Sequence, residues 1–579
     1  MASEPNPNRP HRPNLMARNH LVVSGHYYAS EAAFLILEAG GNAIDAGVAA
    51  GIAINVLQSE FTGFGGVAPT MIFLAGRREV VVISGVGTWP KAATCEYFHD
   101  HFGGRVPPGI LRTVVPAAPD IWLTALERYG TMSFGEVASA AIRFARDGFP
   151  MYPMMAERLE EMVGAFGKHA TTAAIFLPGG RLPRVGEIFV QEDLGRTLGH
   201  MADEEAAHRR KGRSAGLRAA RAAFYKGDIA AGIVRHQREN GGLLTADDLA
   251  GFRADVEVPC RIRFGDIDVY GCGPWCQGPM VLGALNLLKG LDLHSMAHNS
   301  APYIHAVTEA LKLAAADREA YFGDPKFVDV PLEALLSDDH ADRRRALIRP
   351  DRAWPEMPPF GKVDGYDKAP WRPDPSAGSV PIGVPLDTSY LCVADKAGNI
   401  YSVTPSDSTI SGMVVPGTGI TASMWGSRAY TGPTHPACVG PGRRPRMSAN
   451  PMLAIREGKM IMPVGSPGSE VLGQSQVQVF LNQVVFGMSP QAAVEAPRFA
   501  SYSWPGSALP HEYFPGRLTL EGDIARGVAD ALAGLGHEIT WWPGREWLSG
   551  SVCTIQRNLE TGVMQGGADH RLTAYALGW

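Results

Sequence analysis

The order of apolar and polar positions divides this chain into segments before any chemistry is considered. Residues 1–19 carry Pro5, Pro7, Pro10 and Pro13 among Asn and Arg, and read as a disordered lead. The apolar run over 31–57 predicts a helix interrupted at Gly40, Gly41 and Asn42, and the small residues between Ala43 and Ala50 permit close packing. A tight turn at 63–66 follows, and then two strand patterns, 70–74 and 80–84, that predict a hairpin. Ser133 and Glu136 form a capping box that opens a helix, with Gly148 and Pro150 placed to end it. Another capped helix is expected around 243–249 and a long one over 301–320, while the charged stretch 208–213 reads as a solvated face or turn.

The pattern breaks at 354–387, where eight prolines and few apolar residues predict an extended segment that can form neither helix nor central strand. Strand patterns dominate afterwards: 389–394, 400–404, 451–456 and 459–464, then a helix from 471 into the 480s. Thr388 is therefore expected at the first position of a strand, directly behind a linker.

Composition changes this picture mainly by exclusion. At 579 residues and 45% apolar, the chain can bury a large core. Its 53 basic and 58 acidic residues give a net charge of -5 with no long run of one sign, so a nucleic-acid partner is not expected. The most apolar stretch, 43–57, contains Asp45 and Asn55 and is shorter than the roughly 20 residues a membrane-spanning helix needs. No membrane association is expected. Seven cysteines, an odd number without regular spacing, suit reduced thiols in a cytoplasmic protein. Cys272 and Cys276 lack the further ligands of a zinc site, so neither a metal nor a cofactor is expected.

A threonine hydroxyl is a poor nucleophile without a base in hydrogen-bond reach. A break after Asp387 would supply one to Thr388, because the new α-amine has an unperturbed pKa of about 7.7 to 8.0 and is partly neutral near pH 7. Linker, threonine and strand alone make a weak signal. Eight blocks of sequence add to it: 40–46, 144–149, 244–252, 316–319 with 322–325, 387–389 with 393–399, Arg444 and Pro445, 465–468, and 496–499. In their order and spacing these resemble the gamma-glutamyltransferase family along nearly the whole chain. The resemblance implies an α+β fold of four layers, αββα, of the N-terminal-nucleophile hydrolases. It also implies self-cleavage between Asp387 and Thr388, with 20–353 as the large subunit, 354–387 as the linker and 388–579 as the small subunit. The two would stay together as a heterodimer, with a higher oligomer left open, and would act on a small-molecule amide or peptide-like substrate.

Carried over by position, Thr388 is the nucleophile, Ser406 the hydroxyl that supports it, and the backbone N–H groups of Gly468 and Ser469 the oxyanion hole. The substrate-binding positions depart from the family. Val86 stands where an Arg grips the glutamyl carboxylate, Arg428 where an Asp grips the ammonium, and Met447 with Ser448 where two serines stand; Ser408 is a further candidate. An acyl group other than glutamyl is therefore expected, with Arg428 available to an acidic one. Three alternatives remain open here: a true gamma-glutamyltransferase or glutathione hydrolase, a member that folds as a scaffold without maturing, and an exposed loop position for Arg428. The elbow-like motif at 212–216 lacks the apolar strand that a serine hydrolase requires before it.

Overall fold

A computed structural model describes residues 10–366 and 387–579. Two seven-stranded antiparallel sheets form its centre. Edge to edge, one runs Leu15–Ala17, Met564–Ala568, Cys553–Asn558, Met460–Gly465, Met452–Arg456, Ile267–Gly271, Cys260–Phe264. The other runs Tyr575–Gly578, Leu21–Ser24, Leu391–Ala394, Ile400–Val403, Thr70–Leu74, Glu79–Ile83, Val256–Glu257.

Three apolar clusters show how the sheets are covered. Cys392, Ala394, Met71 and Val82 of the second sheet meet Ile461, Cys553 and Met564 of the first, so the sheets pack face to face. On the far side of the second sheet, Leu391, Val393 and Ile72 pack against helices that include Tyr27–Glu38, Ala43–Leu57 and Phe134–Asp147. On the far side of the first, Val269, Ala454 and Met462 pack against Gly278–Leu288, Ala301–Tyr321 and Leu472–Val484. This is the expected α+β arrangement in four layers. Alternate residues of Leu391–Ala394 enter different cores, which explains why the strand is apolar throughout.

The local signals correspond to local structure. Asn42 accepts from the N–H groups of Ile44 and Asp45, Asp45 answers on the Asn42 N–H, and the helix Ala43–Leu57 starts there. The boxes at Ser133 with Glu136 and at Thr245 with Asp248 open Phe134–Asp147 and Ala246–Gly251. Two expectations need correction. The lead is not irregular to residue 19: Leu15–Ala17 is a sheet edge, and Glu495 accepts from the backbone N–H groups of His11 and Arg12. A three-residue strand in a proline-rich stretch owes its pairing to Met564–Ala568, which local pattern cannot reveal. The other concerns Thr388, since the strand behind it starts at Leu391. Residues 367–386 of the expected linker lie outside the described residues; residues 354–366 form neither helix nor strand.

Among the described residues, no helix is long and apolar enough to cross a membrane. Ser214 of the elbow-like motif lies inside the helix Arg213–Tyr225.

Candidate active site

Strand Leu391–Ala394 lies in the middle of its sheet, and its hydrogen-bond ladder continues toward Thr388 on both sides. The Ser389 N–H donates to the Pro405 carbonyl at 2.8 Å, and the Gly25 N–H to the Tyr390 carbonyl at 3.0 Å. The Ser389 hydroxyl donates to Gln58 Oε1 at 2.6 Å, which ties the segment to the end of Ala43–Leu57. Thr388 is thus held by its successors.

Ser406 lies three residues past the adjacent strand Ile400–Val403 and bridges to Val67. Its N–H donates to the Val67 carbonyl at 3.0 Å, and a Cβ on Gly66 would lie 2.4 Å from the Ser406 carbonyl oxygen, so this close approach requires glycine. Thr388 Oγ1 and Ser406 Oγ are 2.8 Å apart, and both hydroxyls donate to the carbonyl oxygen of Asp387, the latter at 2.7 Å. The peptide bond expected to break therefore lies against the expected nucleophile and its supporting hydroxyl, all buried.

The Asp387 side chain makes the next contacts. Its carboxylate takes the Arg428 guanidinium at 3.1 Å and the Ser408 N–H at 3.2 Å. Arg428 is 5% exposed, so it is no surface loop residue. It lies 4.3 Å over the Trp425 ring and donates to Ser427 Oγ at 2.6 Å. Burial raises the pKa of Asp387 above the usual carboxylate range, against the opposing pull of Arg428. Asp407, which sequence reasoning missed, has φ 77°, a left-handed conformation that is uncommon for a residue with a Cβ. One of its oxygens accepts from Ser423 Oγ at 2.5 Å and from the Met424 N–H at 2.9 Å. Burial, with the Asp387 charge adding to it, pushes its pKa up to about 7.

Asp387, Asp407 and Arg428 line a cavity of about 760 Å³ together with Arg112, Ser411 and Ser427. A groove of about 1020 Å³ on the helical layer contains none of these groups. Gly468 and Ser469 follow strand Met460–Gly465, whose last residue lies so close to Tyr390 that a Cβ on Gly465 would be 2.0 Å from the ring. The two have φ 123° and 49°; Ser469 adopts a conformation that ordinarily favours glycine.

The remaining expected substrate residues are elsewhere. Val86 is buried in the apolar layer between the sheets. Ser448 is buried with its hydroxyl unpartnered among the described residues, and is not part of the cavity wall. Of the arginines near Ser448 in the chain, Arg446 is paired with Glu319 at 2.7 Å, and Arg443 donates to the Cys438 carbonyl. Arg105 and Arg112 are further arginines on the cavity, from a part of the chain without a recognisable motif. His305, Glu309 and His537 bring metal-ligand types within 4.8 Å of one another. Most of their ligand atoms are already engaged, because Lys312 donates to Glu309 at 2.8 Å and His305 bonds His537 at 2.9 Å and the Arg349 carbonyl at 2.7 Å, while His537 Nδ1 has no partner among the described residues.

Face-packed antiparallel sheets between helical layers, with Thr388 leading into a central strand, place the protein in the class of N-terminal-nucleophile hydrolase folds. Comparison with known proteins narrows this. The family model described as Gamma-glutamyltranspeptidase matches residues 29–579, and the chain belongs to that family. It is 32% identical over 561 residues to an Acylase ACY 1 proenzyme of Pseudomonas sp. (strain SE83), covering 95% of this chain and 91% of that protein. It is 31% identical over 570 residues to the Glutathione hydrolase-like YwrD proenzyme of Bacillus subtilis (strain 168), covering 98% and 99%. The crystal structure of a cephalosporin acylase from Bacillus halodurans superposes with a TM-score of 0.84 at 28% identity, covering 100% of this chain and 99% of that one.

Proposed function

We propose that the chain cuts itself between Asp387 and Thr388, and that the freed Thr388 is the nucleophile of an amide hydrolase or acyltransferase working through a threonyl ester. The observation that carries this reading is the contact of Thr388 Oγ1 and Ser406 Oγ with the Asp387 carbonyl. In maturation the Thr388 hydroxyl oxygen adds to the Asp387 carbonyl carbon, the C–N bond breaks, and the hydroxyl proton goes to the new amine. Water then cleaves the ester, leaving the Asp387 carboxylate and restoring the Thr388 hydroxyl. In turnover the α-amine of Thr388 takes the hydroxyl proton as the oxygen attacks a substrate amide, and returns it to the leaving amine. The N–H groups of Gly468 and Ser469 receive the oxyanion; such donors contribute about 3 to 4 kcal/mol each.

The acyl group in this reading is acidic and not glutamyl. Arg428 on the cavity wall supports it, and so does the position of Val86 in the core. The relatives named acylase and glutathione hydrolase-like are both proenzymes, which supports processing. A cytoplasmic location belongs to the same proposal, on the odd count of seven cysteines.

N-terminal sequencing of the smaller fragment tests the reading. It should give Thr-Ser-Tyr-Leu-Cys, while Thr388→Ala should leave one inactive full-length chain. Any other start removes Thr388 from the mechanism.

A further inference from the structure

We infer that Asp387 is a built-in copy of the substrate's acyl group, and that the mature enzyme takes amides of four-carbon dicarboxylic acids whose free carboxylate is two carbon atoms from the carbonyl under attack. The inference rests on the Thr388 reading above and adds what the site selects.

Both ends of the Asp387 acyl unit are held by groups that stay behind after cleavage. Its carbonyl oxygen takes the hydroxyls of Thr388 and Ser406; its carboxylate takes Arg428 at 3.1 Å and the Ser408 N–H at 3.2 Å. Stacking on Trp425 and the bond to Ser427 restrict how far Arg428 can move. The maturation ester joins the Asp387 acyl group to Thr388 Oγ1, which is the linkage a substrate acyl group forms in turnover. Water then breaks it in both cases. The precursor therefore positions a four-carbon diacid unit where an acyl-enzyme has to fit.

Cleavage also leaves a charge behind. When Asp387 departs, Arg428 loses its ion pair, with Asp407 the remaining acid beside it, at one wall of the cavity of about 760 Å³. Unpaired buried charge is costly, so a carboxylate arriving with the same spacing is favoured. The other acid on the wall, Asp407, has one oxygen engaged by Ser423 and Met424. A five-carbon acid moves its carboxylate one methylene away from this geometry, and a neutral acid forfeits the charge-assisted bond.

The test is a series of p-nitroanilides of succinic, α-aspartic, glutaric, γ-glutamic and butyric acids, given to the mature wild-type enzyme. A four-carbon diacid compound, succinyl or α-aspartyl, should have the highest kcat/KM, about tenfold or more above glutaryl and butyryl, the ratio expected from loss of one charge-assisted bond. The succinyl and α-aspartyl arms report whether an amino group is accepted where Asp387 joins residue 386. Arg428→Ala should lower kcat/KM for the succinyl compound far more than for the butyryl one, closing the gap. Preference for glutaryl, γ-glutamyl or butyryl, or turnover of none of the five, overturns the inference. If such an enzyme is nevertheless cut at Thr388 and hydrolyses another amide, the Thr388 reading stands. A second readout is self-cleavage itself, for which Asp387 should be faster than Asp387→Glu and Asp387→Asn; equal rates contradict the role of the carboxylate.

Discussion

Individual side chains at the site make opposite demands on pH. The α-amine of Thr388 has to be neutral to act as a base, so the acylation rate should rise with pH through about 7.7 to 8.0 and then level off. Acetylating that amine should abolish activity, and a profile governed only by a group near pH 6.5 would point to a histidine. Asp407 behaves in the other direction. Its carboxyl is pushed up to about 7 in the folded precursor, so it binds its proton more tightly folded than unfolded. Its contribution to stability is full below the ordinary carboxylate pKa and is lost as pH rises through about 7. In the uncleaved Thr388→Ala chain, Asp407→Asn should therefore reduce the fall in Tm across that window, since an amide oxygen can still accept from Ser423 and Met424. Thermal melts at a series of pH values check this; an unchanged slope would show that Asp407 does not titrate there. Ser406→Ala removes a hydroxyl from a buried contact and should slow maturation and turnover together by about 10- to 100-fold.

At the scale of an element, the helix Ala43–Leu57 is buried along its whole length and connects structure to site. Its N-terminus is capped by Asn42, and its first N–H donates to Asp395 at 2.9 Å, just past the end of strand Leu391–Ala394. Gln58 at its other end accepts from Ser389 and donates to the Gly25 carbonyl at 3.1 Å. Gln58→Ala leaves the Ser389 hydroxyl without its partner, a cost of about 1–3 kcal/mol, and loosens the residue next to Thr388, while the Gly25 carbonyl still accepts from Thr573 Oγ1. The expected result is a lower Tm and a kcat that falls more than KM changes. An unaffected kcat would confine Gln58 to stability.

For the whole molecule, the strand order predicts that the two fragments stay together after cleavage. In the sheet that contains Leu391–Ala394, strands from before and after the cut alternate: Tyr575–Gly578, then Leu21–Ser24, then Leu391–Ala394 with Ile400–Val403, then Thr70–Leu74. Separating the fragments would mean opening all three apolar clusters, each of which draws residues from both. A denaturing gel should show bands of roughly 41 and 21 kDa, apportioned by length from 62.0 kDa, while native size exclusion keeps them in one peak. Two peaks without denaturant would contradict that interleaving.

Much of this molecule could be read locally. Capping boxes, turn residues and apolar runs act over a few residues, and so the helices at 43, 134 and 246 and the central strands were predictable. Thr388 and Ser406 were singled out by the family resemblance, which local pattern alone supported only weakly. Other features depend on distant partners. The edge strand Leu15–Ala17 exists through Met564–Ala568, and Asp407 matters through Ser423, Met424 and Asp387. The family resemblance put Arg428 at a substrate position, but only tertiary packing brings its guanidinium onto the carboxylate of Asp387, 41 residues away in the chain. The sequence by itself determined the elements, because those depend on short-range sterics and patterning, and its family resemblance singled out Thr388. The tertiary structure decided which charges meet, because a buried ion pair depends on distance and desolvation, and neither is encoded within a few residues.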